Sequence, residues 1–163
     1  MDSSLSKSSI LLLNIGRHLT VALIALFVIG GATRVMEAGL ACPDWPLCYG
    51  VIFPGHQMNI QVFLEWFHRL DAFLVSSFIF FQFVLSIRNR SNLPKGITNI
   101  YFIMFLLVMF QAFLGALTVS HLLKSEVVTA HLLTAMGLII LSSLTNQKLQ
   151  NNHLQKIPYG WKT

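Results

Sequence analysis

Charged side chains are scarce in this chain. Asp, Glu, Lys and Arg make up 10% of its 163 residues, against about 25% in a typical soluble domain. That deficit argues against an ordinary water-soluble globule. The net charge of +5 comes from bases scattered at the ends of apolar runs, with no basic patch, so it does not indicate nucleic-acid binding. Cysteine is limited to Cys42 and Cys48. Two thiolates alone do not complete a tetrahedral zinc shell, and adding His56 fits no familiar zinc spacing. A small-residue cleavage pattern is missing after the first apolar run, where Arg34, Met36 and Glu37 follow. That run is therefore read as a retained helix.

What the chain has in abundance is apolar surface, 55% of residues. Four runs are long enough to cross a bilayer, which takes roughly 20 helical residues. They lie near Leu19–Thr33, Val62–Ile87, Asn99–Val119 and Val127–Leu144, and the first can extend inward through Leu11–Ile15. With the N-terminus inside, the inner segments hold eight bases: Lys7, Arg17, Arg88, Arg90, Lys95, Lys148, Lys156 and Lys162. The outer segments hold two, Arg34 and Lys124, while Arg69 sits just within the second helix. The asymmetry sets the orientation. The expected fold is an all-α membrane protein, four transmembrane helices in one antiparallel four-helix bundle with both termini cytoplasmic. Residues 1–17 form a cytoplasmic segment, 18–144 the bundle with its outer loop at 36–61, and 145–163 a polar tail or linker carrying His153 and closing on Pro158-Tyr-Gly-Trp.

The outer loop reads Ala41-Cys-Pro-Asp-Trp-Pro-Leu-Cys-Tyr-Gly. Its prolines favour a compact turn in which two thiols can meet in an oxidising compartment. A structural staple and a redox role both remain open for Cys42 and Cys48.

Inside the membrane, ionisable groups are costly and mark functional sites. Glu65 and His68 lie three residues apart on one helical face. His68 is expected about six residues into the second helix, roughly 9 Å along its axis. His131 is expected about five residues into the fourth, roughly 7.5 Å, entering from the same side. Either histidine alone reads as one that bonds a neighbouring helix or interfacial water. The matched pair reads as a bis-imidazole haem site in a bundle core. His121 is the rival to His131, while His18 reads as interfacial and His56 as solvated. Gln111 shares a face with Gly115 and suits either helix packing or the cofactor. Arg69 either pairs with Glu65 four residues away or reaches a haem propionate.

Several stretches together make the chain resemble the haem A synthase family, membrane enzymes that convert haem O to haem A for cytochrome oxidase. They are Gly30-Gly-Ala-Thr-Arg-Val, the loop from Gly39 to Gly50, Glu65-Trp-Phe-His-Arg, Gln111-Ala-Phe-Leu-Gly-Ala-Leu-Thr-Val and Val127-Val-Thr-Ala-His-Leu-Leu. They occur in the family's order over about Gly30 to Leu133. The resemblance implies that Glu65 is catalytic, that His68 and His131 ligate the haem iron, and that Cys42 and Cys48 form a disulfide. It implies haem O as substrate and haem A as product, with haem b the alternative occupant. Partners would be membrane lipid, haem O synthase, the cytochrome oxidase assembly machinery and an unidentified electron donor. The setting would be the cell membrane, with the Cys loop outside.

The resemblance also shows a departure. Family members are tandem four-helix bundles, and the second histidine pair has no counterpart here. A homodimer of a half-size enzyme, a truncated product and a degenerate remnant are the competing explanations. Two other functions stay in view. One is a non-catalytic haem-binding cytochrome or assembly factor. The other is a membrane disulfide oxidoreductase, although a Cys-x-x-Cys is lacking. A di-iron carboxylate bundle would need two Glu-x-x-His motifs, and one is present.

Overall fold

Each apolar run folds into one long helix, and the computed structural model, which describes residues 7–155, contains four of them. They are α1 (Lys7–Val35), α2 (Ile60–Arg88), α3 (Ile97–Ser120) and α4 (Ser125–Gln155). All four are long and apolar enough to cross a membrane. The 24 residues of α3, the shortest, extend about 36 Å at 1.5 Å per residue, enough for a hydrocarbon core of about 30 Å. Large apolar side chains such as Val21, Phe73 and Ile140 point outward and exposed, as a lipid-facing surface requires.

The helices close into a ring. Helix α1 packs mainly on α2 and α4, and α3 packs on the same two. Helices α2 and α4 therefore stand diagonally across the core. Leu12, Leu19, Leu23, Val75, Ile79, Tyr101, Met104 and Leu138 fill the centre.

Local chemistry fixes the helix ends. Asn59 caps α2, its side-chain oxygen accepting the Val62 N–H at 2.9 Å, a standard N-cap role. Gly96 precedes α3 at φ 83°, a conformation glycine adopts without a Cβ penalty. The α3–α4 turn is closed by the Leu123 N–H donating to the Thr118 carbonyl at 2.8 Å.

Helix α1 takes the inward extension that the sequence allowed, running from Lys7 through Arg17 and His18. The extent of α4 differs from the sequence expectation. Helix α4 runs about three turns past Leu144, so residues 145–155 are helical rather than a free tail. The reason is a polar layer buried at that level. Thr145 is 1% exposed, and its hydroxyl bonds back to Leu141. Asn146 donates to Thr20, which also meets Ser142 at 2.7 Å. Polar residues that read as solvated are turned inward against α1. The Pro158–Trp161 stretch lies outside the described residues, as does the side chain of His153.

Candidate functional site

His68 stands eight residues into α2 and His131 six into α4, about 12 and 9 Å along their axes. The diagonal packing of α2 and α4 sets them on opposite walls of the bundle at similar depth. The Nδ1 of each ring is buried with no hydrogen-bond partner. A buried polar atom without a partner is costly and calls for an explanation. Two such imidazoles opposed in an apolar core fit a haem iron, which histidine nitrogens ligate.

Glycines seat both rings. A Cβ on Gly30 would stand 2.9 Å from His68 Cε1, too close for a real contact. Gly115 is more relaxed, its Cβ position lying 3.8 Å from His131 Cε1. Gln111 donates to the His131 carbonyl at 3.0 Å and to the Thr134 hydroxyl. It thus ties α3 to the backbone that carries His131, which favours the helix-packing role. His121 caps the end of α3 and is exposed. His131, not His121, therefore reaches the core. His18 is exposed and bonds the Asn14 carbonyl, and His56 is exposed in a short 3-10 turn.

Glu65 is 5% exposed, and both its oxygens are engaged. Oε2 accepts the Cys42 N–H at 2.8 Å, and Oε1 pairs with Arg69 Nη2. Of the two roles open to Arg69, the ion pair is the one formed. Its guanidinium also donates to the carbonyls of Cys42, Asp44 and Leu47. One carboxylate and three carbonyls thus bind the Cys-containing loop to the first turns of α2. Arginine's rigid fork of donors suits this clamp better than an ammonium would.

The loop has its own fastenings. Cys42 and Cys48 are joined in a disulfide, and both are buried. They pack with Val62 beneath Met58 and Trp66. The Trp66 indole N–H donates to the Ile52 carbonyl, and Phe53 meets the same ring edge-on at 5.4 Å. Asp44 accepts the Tyr49 and Gly50 N–H groups. These bonds, the Gly50 N–H foremost, hold its carboxyl below the usual value of 3.8, with Arg69 adding a little.

The sequence of residues 16–161 matches the cytochrome oxidase assembly protein family. The chain belongs to that family. A haem A synthase of Shewanella oneidensis is 32% identical over 141 residues, covering 76% of this chain and 42% of the relative. One from Bacillus pumilus is 29% identical, covering 69% of this chain and 37% of the relative. One from Chelativorans sp. is 27% identical, with 78% and 37% covered. The chain thus spans about two fifths of the length of these relatives. No solved structure matches it significantly. As a member of the cytochrome oxidase assembly family with four spanning helices, it is a multi-pass membrane protein.

Sequence reasoning passed over two contributors to this family member's site. One is the Cys42 backbone N–H, which carries no sequence signal as a donor. The other is the seat that Gly30 makes for His68. Its signal was a glycine inside a membrane helix, where small residues mark close approach.

Proposed function

We propose that this protein binds haem O between His68 and His131 and takes part in oxidising a ring methyl to the formyl group of haem A. The observation that supports the reading is a pair of half-buried imidazoles on diagonally placed helices, each with a buried, unpartnered Nδ1 atom, in a chain whose relatives are named haem A synthases. The two rings would hold the iron from opposite helices. The haem would supply the redox-active iron and the methyl carbon; taking that methyl to a formyl group adds one oxygen at the level of water and removes four electrons and four protons, so the reaction needs an external oxidant. Gly30 leaves room for the His68 ring. Gln111 holds the His131 backbone through its carbonyl and positions that ligand from behind.

Glu65 is the proposed catalytic group, as an acid–base or a charge stabiliser at the reacting carbon. In its resting arrangement Oε2 accepts from the loop and Oε1 from Arg69, so its catalytic role needs the clamp to share or yield it. Arg69 would contact the substrate through its remaining Nε–H or by yielding one of the clamp bonds. The same engagement favours a second reading, a haem-binding assembly factor in which Glu65 is structural. Disulfide exchange has less support, because attack needs an accessible sulfur and both cysteines are buried.

The proposed setting is the cell membrane, with termini inside and the Cys loop outside, an orientation the distribution of bases supports. A homodimer would restore eight helices, closed two-fold pairing being the commonest assembly.

The test is to express the chain with haem O supplied and extract pigment. Haem A from the wild type, and its loss in Glu65→Gln with haem still bound, is the expected result. Bound haem without haem A from the wild type would leave the assembly-factor reading and remove the enzymatic one.

A further inference from the structure

The end of the bundle opposite the Cys loop carries a feature that haem chemistry does not use. Two adjoining hollows open there, of about 410 and 290 Å³, sharing Pro94. The first lies between Pro94 and the last turns of α4, with Lys148, Asn151 and Asn152 on its wall. The second is lined by the α2–α3 turn, including Arg90 and Lys95. Lys148 bridges the two segments, its Nζ donating to the Lys95 carbonyl at 2.9 Å. That bond uses one of three ammonium protons.

Among the described residues, charge at this end is of one sign. Residues 88–99 and 144–155 contain Arg88, Arg90, Lys95 and Lys148 and no Asp or Glu. Every acidic residue among those described, Glu37, Asp44, Glu65, Asp71 and Glu126, lies in an outer loop or in the half of a helix next to one. The cations here therefore have no acidic counterion among the described residues, and none of them forms an ion pair there.

Depth identifies the medium. Lys148 is 23 residues from the start of α4, about 35 Å along the axis, just beyond a hydrocarbon core of about 30 Å. That is the headgroup layer. Leu93 and Leu144 form apolar edges of the hollows, and Leu144 is itself exposed toward the lipid. A phosphate at Lys148 would have a path for acyl chains beside it.

We propose that these hollows bind the phosphate of an acidic membrane phospholipid, held by Lys148 and Arg90 with amide donors from Asn151 and Asn152. Basic pockets between membrane helices suit such headgroups. The ligand chemistry is a phosphate anion, and the lipid is its source.

The test uses the full chain in nanodiscs of phosphatidylcholine doped with phosphatidylglycerol, with retained lipid read by native mass spectrometry. Phosphatidylglycerol should be enriched over phosphatidylcholine. Each cation removed should lower that enrichment about fivefold, and Lys148→Gln with Arg90→Gln about 25-fold. Lys148→Arg with Arg90→Lys should keep it, which separates lost charge from lost fold. Inorganic phosphate in large excess should not displace the lipid. Equal binding of phosphatidylcholine, full enrichment in the charge-free double variant, or displacement by inorganic phosphate would overturn the proposal.

Discussion

At the scale of single residues, the outer end of α2 is organised by Arg69. Replacing it with Ala leaves Glu65 buried without its cation and three loop carbonyls without a donor. Removing one member of a buried ion pair costs about 3 kcal/mol. Arg69→Ala should therefore lower the melting temperature and make the loop sensitive to protease, with Arg69→Lys intermediate because an ammonium lacks the fork. Asp44 gives the loop a pH signature. Its carboxyl is held below 3.8 in the folded loop, first by the Gly50 N–H and then by Tyr49. A depressed value contributes stability that is complete above the unfolded value and is lost as pH falls through the folded one. The loop should be indifferent to pH between about 8 and 5 and loosen below about 4. Trp45 fluorescence reports this directly, and Asp44→Asn should abolish the acid step.

At the scale of elements, the two glycines that face the imidazoles predict opposite outcomes. Gly30→Ala drives a methyl into His68 Cε1, whereas Gly115→Ala makes only an ordinary contact with His131. The first should shift or weaken the bound haem spectrum, and the second should leave it close to wild type. At the other end, Gly16→Ala would bring a carbon within 2.0 Å of Asn146 Oδ1. The Asn146–Thr20 hydrogen bond would be displaced, and helix α4 should become less stable without a change in haem ligation. These contacts explain what could be read in the sequence and what could not. The helices were legible because 20 apolar residues have few alternatives in a membrane. His121 stayed a rival to His131 in the sequence, and the end of α3 at Ser120, which leaves His121 exposed, separates them. The continuation of α4 was not legible, because Thr145 and Asn146 look solvated until their partners on α1 are known. The same holds for Gln82 and Tyr101, which are buried at 1% with unpartnered oxygens and carried no signal of their own. For Arg69 the sequence offered two roles. The choice depended on backbone carbonyls some 22 to 27 residues away, which no local pattern encodes.

At the scale of the whole molecule, the bundle is polarised. Among the described residues its acids and its disulfide loop lie at one end, most of its bases at the other, and the histidine pair near the acidic end. By the positive-inside rule that polarity predicts an orientation with the disulfide loop outside. A single cysteine placed at Ser91 in a Cys42→Ser, Cys48→Ser background should resist a membrane-impermeant thiol reagent in intact cells, while one placed at His56 should react. The reverse labelling would invert the topology. Across all three scales the central claim is that His68 and His131 hold one haem between them. It is tested most directly by the optical and electron paramagnetic resonance spectra of the purified, haem-loaded chain. A low-spin bis-histidine signal is expected, lost in both His68→Ala and His131→Ala and retained in His121→Ala. A signal that survives either of the first two substitutions, or that depends on His121, would contradict it.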